Sequence, residues 1–204
     1  MKMVNWTKEQ EHIVSNWIKI LFTLNSFQPI RGRLRIIKEL FLIAMEVSSE
    51  LKDAIYFYPY NYGPYSSRAA LKMNKFRKSG VITVKYAGID WEYRLSESFH
   101  EEGLQLVKQL DPKTIKRVSE IKKRYHKYNS IEIIKDIYQR YPDYAIQSAV
   151  RKEIISTSVV DPDSVDPTVE ESNLVVSLLP PLDYNSDTAD ENIQYRHIPK
   201  EMFT

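Results

Sequence analysis

Apolar residues recur at helical spacing over residues 7–25, where Ile13, Trp17, Ile20, Leu21 and Leu24 share one stripe. Thr7 with Gln10 three residues on has the arrangement of a capping box, so the helix is expected to start there. Phe27-Gln28-Pro29-Ile30 interrupts it, and a second helix is predicted over 33–47 with Leu34, Ile37, Leu40, Phe41 and Ala44 inward. Residues 48–54 suit a short helical turn. The stretch 55–82 organises the rest: an aromatic, strand-like run (Tyr56 to Tyr60), a turn at Asn61-Tyr62-Gly63-Pro64, and then a helix. Ser66 or Ser67 can cap that helix by accepting orphan N–H groups of its first turn. It is expected to stop at Ser79-Gly80. Ala69, Met73 and Phe76 form its apolar stripe, and Arg68, Lys72 and Lys75 a cationic one about a third of a turn away.

Two β-prone runs, 81–85 and 91–95, flank the glycine-bearing loop 86–90 and predict a hairpin. Three helices followed by a hairpin is the order of a winged helix-turn-helix, in which the third helix enters the major groove and the hairpin is the wing. Ser96 is expected to cap a further helix through Phe99, Leu104, Val107 and Leu110, and Asp111-Pro112 to open the next over 112–127. Ile115, Val118 and Ile121 point inward on that helix, while Lys113, Lys116, Arg117, Lys122, Lys123 and Arg124 make a second basic surface. Helices over 131–140, after Asn129 or Ser130, and over 143–155 complete the body. The fold class is therefore mainly α with a small β-hairpin, carrying additional helices and an acidic, largely irregular C-terminal tail.

Charge sharpens this division. The net charge of +2 conceals 27 Lys and Arg against 16 Asp and Glu in residues 1–152, but 2 against 11 in residues 153–204. The halves thus carry +11 and −9, a contrast that points to a nucleic-acid-facing body and an acidic tail. A contact between body and tail with no outside partner fits the same numbers. Within 153–204, Pro162, Pro167, Pro180 and Pro181 interrupt regular structure. Leu174, Val175, Val176, Leu178 and Leu179 form one apolar run there. It is a candidate partner-binding motif, or a segment that folds back on its own domain.

Candidate reaction chemistry is sparse. Zero cysteines exclude disulfides and thiolate sites. His12, His100, His126 and His197 are scattered, with no paired spacing for a metal. Asp161, Asp163 and Asp166 lack the glycine and terminal glutamate of a calcium loop. The five glycines make no phosphate-cradling loop, and no serine sits in a nucleophile elbow. No enzyme activity, cofactor or metal is expected. No apolar run approaches the roughly 20 residues of a membrane span, and no signal-peptide profile opens the chain, so a cytoplasmic location is expected.

Three segments resemble a known group: PIRGRLRIIKELFLI (29–43), YPYNYGPYSSRAALKMNKFRKSGVI (58–82) and YRLSESFHEEG (93–103). Together with YNSIEIIKDIYQRYPDYAIQS (128–148) they are similar to prokaryotic winged-helix proteins of the YwgA-like group, and more distantly to the Panacea-type antitoxin domain. The resemblance covers roughly residues 27–150, and its most specific piece is Tyr62-Gly63-Pro64-Tyr65-Ser66. It implies a winged-helix fold, and the Panacea-like part implies a domain that can act by binding a protein. Ala69, Ala70 and Lys72 stand where the group is expected to be more acidic, which favours an anionic partner.

The first functional expectation is a DNA-binding transcriptional regulator, homodimeric through its terminal helices. Arg68, Lys72 and Lys75 face the groove, Ser66 and Ser67 contact phosphates, and Lys85 and Arg94 serve the wing. The alternative is a protein-interaction module, antitoxin-like or an assembly factor, whose winged helix binds no DNA. In a third version the tail masks the basic body until DNA or a partner displaces it.

Overall fold

The first helix, α1 (Lys8–Phe27), opens on the expected capping box: Thr7 Oγ1 accepts the Gln10 N–H at 3.1 Å, and Gln10 Oε1 accepts the Thr7 N–H at 3.2 Å. In this computed structural model, which describes residues 6–88 and 90–148, α1 is the central strut. Val14, Trp17, Ile18, Leu21 and Phe22 are all buried. Its apolar stripe packs against the chain's own α3 (Ser49–Ile55), α5 (His100–Lys108) and α6 (Pro112–Lys127).

The helix ends abruptly. Leu24 turns extended, and Asn25, Ser26 and Phe27 take φ of 57°, 56° and 57°, a left-handed turn that non-glycine residues rarely adopt. The cause is visible from the other side. Lys122 reaches from α6 to donate to the Leu21 and Leu24 carbonyls, both at 2.8 Å, and Asn25 Nδ2 donates to the Ser119 carbonyl. A lysine ammonium satisfies the orphan carbonyls of a helix C-terminus, where positive charge is favoured. Lys122 is only 1% exposed, which corrects its expected place on the outer basic surface of α6.

After β1 (Ile30–Arg31), α2 (Arg33–Glu46) and α3 lead into the aromatic stretch, which folds as a second hairpin of β2 (Tyr58–Tyr60) and β3 (Gly63–Tyr65). The Tyr-Gly-Pro-Tyr-Ser piece is architectural. Gly63 sits at φ +85°, and a Cβ there would come within 2.8 Å of the Tyr138 ring. The Pro64 carbonyl accepts from buried Lys38 Nζ at 2.8 Å. Ser66, fully buried, donates to the Ile55 carbonyl at 2.7 Å and accepts the Ala69 N–H at 3.2 Å, so one hydroxyl closes α3 and caps α4 (Ser67–Lys78).

β4 (Ile82–Tyr86) and β5 (Trp91–Leu95) form the expected hairpin, with Val84 opposite Tyr93 and Lys85 opposite Glu92. β1 pairs antiparallel with β5, giving a three-stranded sheet in the order β1-β5-β4. Ser96 does not cap α5. Its hydroxyl donates to the Gly80 carbonyl at 2.5 Å, and a single 3-10 turn (Glu97–Phe99) precedes the helix. α6 is capped by Asp111 with Pro112 in its first turn, and α7 (Ser130–Arg140) by an Asn129–Glu132 capping box. Where a helix is expected over 143–155, the described part holds a 3-10 turn at Pro142–Ala145 and a turn at 146–147, and residues 149–155 lie outside the described residues.

The protein is thus mainly helical with a small antiparallel sheet. Among the described residues no helix is long and apolar enough to cross a membrane. The 152/153 boundary, the acidic segment 153–204 and the Leu174, Val175, Val176, Leu178, Leu179 run lie outside the described residues.

Candidate nucleic-acid interface

The exposed side of α4 differs from the one its charges suggested. Arg68 Nη1 donates to the Ala54 carbonyl at 2.6 Å, and its guanidinium lies 5.7 Å from the Trp6 ring centroid. Lys72, with 13% of its side chain exposed, bonds Glu11 Oε1 on α1 at 3.1 Å and sits over the Phe76 ring. Lys75 shares that oxygen at 3.1 Å but keeps 64% exposure. Both lysines hold the Glu11 carboxyl below its usual range, the Lys72 hydrogen bond first. Two members of the expected stripe therefore fasten α4 to α1 and α3, and the groove-facing assignment of Arg68 and Lys72 needs correcting. Ser66 is also excluded from phosphate contact by its complete burial.

What α4 turns outward follows from the same anchoring. Ala69, Met73 and Phe76 are buried as the periodicity predicts, and Glu11 takes the flank of Lys72. The opposite side carries Ser67, Leu71, Asn74 and Lys78 at i, i+4, i+7 and i+11, one continuous helical face. Leu71 is 48% exposed at its centre. Lys75 flanks one side and Arg77 the other, both exposed. Leu71, Asn74, Arg77 and Lys78 were missed by the reading of the sequence. They are visible on a helical wheel, but only once the packed side is known.

The sheet contributes a second surface. Alternation along β4 and β5 puts Thr83, Lys85, Glu92 and Arg94 on its polar face, and β1 adds Arg31. Glu92 is 8% exposed and lies between Arg94 Nη2 at 2.6 Å and Arg31 Nε at 3.6 Å. Hydrogen bonding from Arg94 leads the effects that hold its carboxyl low. One central carboxylate therefore holds two cations, Arg94 and Arg31, which keep 53% and 52% side-chain exposure, with exposed Lys85 opposite it across the strands.

Three charged side chains are buried in the core, Lys38 and Glu39 on α2 and Lys122 on α6. Burial pushes the Lys38 amine down to about 7. It pushes the Glu39 carboxyl up and the Lys122 amine down, each partly countered by the other. Glu39 Oε2 has no hydrogen-bond partner. Such perturbed groups occur both at catalytic sites and in structural charge networks; here all three side chains are buried, Lys38 against the Pro64 carbonyl of β3 and Lys122 against the C-terminal carbonyls of α1. Among the described residues no group of three or more His, Asp or Glu could hold a metal ion.

The chain matches no protein-family model, no curated protein and no solved structure.

Proposed function

We propose that the chain is a duplex-DNA-binding protein of the winged-helix type, acting as a transcriptional regulator, with α4 presented to the major groove and the β4–β5 hairpin as the wing. The observation that carries this reading is the outward face of α4. Ser67, Leu71, Asn74 and Lys78 combine a small hydroxyl, an apolar side chain, an amide and a cation on one side of the helix, with Leu71 and Lys78 exposed and Ser67 and Asn74 half-buried. An amide can bond an adenine edge bidentately, an apolar side chain can pack on a thymine methyl, and flanking cations meet phosphates. Lys75 and Arg77 supply the flanks, and Lys85 and Arg94 the wing. The YwgA-like resemblance favours the same assignment.

The test is enrichment of a random duplex library by the full chain, followed by anisotropy titration of the enriched duplex. Leu71→Ala with Asn74→Ala should lower discrimination against a scrambled duplex by about ten-fold or more, since each good base contact is worth about 1–3 kcal/mol. No enrichment at low salt sinks the reading.

A second reading, a protein-interaction module, has its own observation. The β2–β3 hairpin carries Tyr58, Tyr60 and Tyr65 with ring centroids 5.3–6.2 Å apart, and Tyr56, Tyr60 and Ile146 are 54%, 39% and 57% exposed. Exposed tyrosine clusters are characteristic of protein interfaces. On this reading Tyr56→Ala with Tyr60→Ala abolishes a stoichiometric protein complex and leaves duplex affinity unchanged.

A further inference from the structure

The outer side of α6 is the most strongly charged surface among the described residues, and the α4 face does not account for it. Lys113, Lys116, Arg117, Lys123, Arg124 and Lys127 are exposed within one arc of the helix, with Glu120 the only acid among them. Arg117 is bound by Glu46 at 2.7 Å. Lys113, Lys116, Lys123 and Lys127 have no ion-pair partner among the described residues. The row runs the length of the helix, from Lys113 in its first turn to Lys127 at its end.

We infer that this band is a phosphate-backbone tract, which holds duplex nucleic acid electrostatically without reading its sequence. From Lys113 to Lys127 the helix advances about 21 Å at ~1.5 Å per residue, a length of duplex axis that carries about twelve phosphates at one per ~1.7 Å over both strands. A straight row of mobile ammonium groups suits a regularly spaced polyanion, and contacts of this kind position a protein without selecting bases. A lipid surface fits less well. Interfacial helices also insert apolar side chains, and no exposed large apolar residue lies on α6, whose Val118, Ile121 and Tyr125 are buried against the core. An acidic peptide would need apolar anchor points beside the charges, which the stripe also lacks.

The tract deepens the duplex-binding reading and rests on it, but through residues that reading does not use. Full-length chain is titrated against two unrelated duplexes across a salt series, beside a variant with Lys113, Lys116, Lys123 and Lys127 all changed to Gln. Glutamine matches lysine in helix propensity, and all four positions are exposed, so the fold is kept; a fourfold Lys→Arg variant controls for charge alone. The Gln variant should weaken binding to both duplexes equally, and its log affinity against log salt should flatten by about 4, roughly one per lysine. The Arg variant should retain the full slope.

An unchanged slope in the Gln variant, with wild type still binding, overturns the tract and leaves the α4 reading standing. Loss in the Gln variant with no effect of Leu71→Ala and Asn74→Ala keeps the tract and overturns the α4 reading. Wild type that ignores both duplexes but sediments with phosphatidylserine vesicles overturns both.

Discussion

Lys38 gives the sharpest test of how the core is held. Its side chain is fully enclosed in α2, and its amine makes one hydrogen bond, 2.8 Å to the Pro64 carbonyl at the base of the aromatic hairpin. Desolvation alone lowers it from 10.5 to about 7. An uncharged amine still donates to a carbonyl, so the bond survives loss of the proton while the cost of a buried charge disappears. Between pH 10.5 and about 7 the unfolded chain holds a proton that the folded chain lacks. Stability from this residue is therefore fully present above pH 10.5, falls as pH drops, and levels off below about 7. At about 1.4 kcal/mol per pH unit, the whole window corresponds to roughly 5 kcal/mol.

Lys38→Met removes that dependence and replaces the amine by an apolar group of similar length, leaving the Pro64 carbonyl unpaired at a cost of about 1–3 kcal/mol. The assay is urea unfolding of both proteins at pH 7, 8, 9 and, where both stay soluble, 10. The difference between them isolates Lys38 from Glu39 and Lys122, whose own shifts are common to both chains. Wild type should gain on the variant by about 1 kcal/mol for each pH unit. Parallel pH profiles would mean that Lys38 stays charged in the folded protein, and the reasoning fails.

Ser66→Ala removes a helix cap and orphans the Ile55 carbonyl, so a loss of about 2–3 kcal/mol is expected in thermal melts; a loss below 0.5 would show the hydroxyl to be dispensable. Gly103→Ala forces a methyl to within 2.1 Å of Thr23 Oγ1 where α5 crosses α1. It should destabilise by about 1–3 kcal/mol as overpacking does, and adding Thr23→Ala should recover part of that. Glu11→Gln leaves Lys72 and Lys75 without their shared carboxylate. It should lower the melting temperature slightly and tighten duplex binding, and unchanged duplex affinity would count against a role for Lys75.

Much of the architecture is legible in the chain. The capping box at Thr7, the start of α7 after Asn129, the proline start of α6, the Ser66 cap and the glycine-ended α4 are local chemistry, in which partners lie within four residues. Hydrophobic spacing places α1, α2, α6 and α7 for the same reason. The misses have a common cause. β1 is two residues long and has no periodic signal; it exists because β5 offers an edge. Residues 143–148 are expected to begin a helix, yet Tyr141, Ala145 and their neighbours pack as a 3-10 turn against α2 and the aromatic hairpin.

The site divides the same way. Sequence by itself determined that α4 is amphipathic and basic, that α6 carries a run of cations, and that the body is positive. It could not determine which polar side of α4 is taken up in packing, because a helical wheel admits both Arg68-Lys72-Lys75 and Ser67-Leu71-Asn74-Lys78 beside the buried stripe. Glu11, 61 residues before Lys72, made that choice by neutralising one of them. The carbonyls of Leu21 and Leu24, 101 and 98 residues from Lys122, drew a lysine into the core that the charge pattern had placed in water. Charge in a sequence is a composition; only long-range packing decides whether it ends as an internal tie or as a surface offered to a partner.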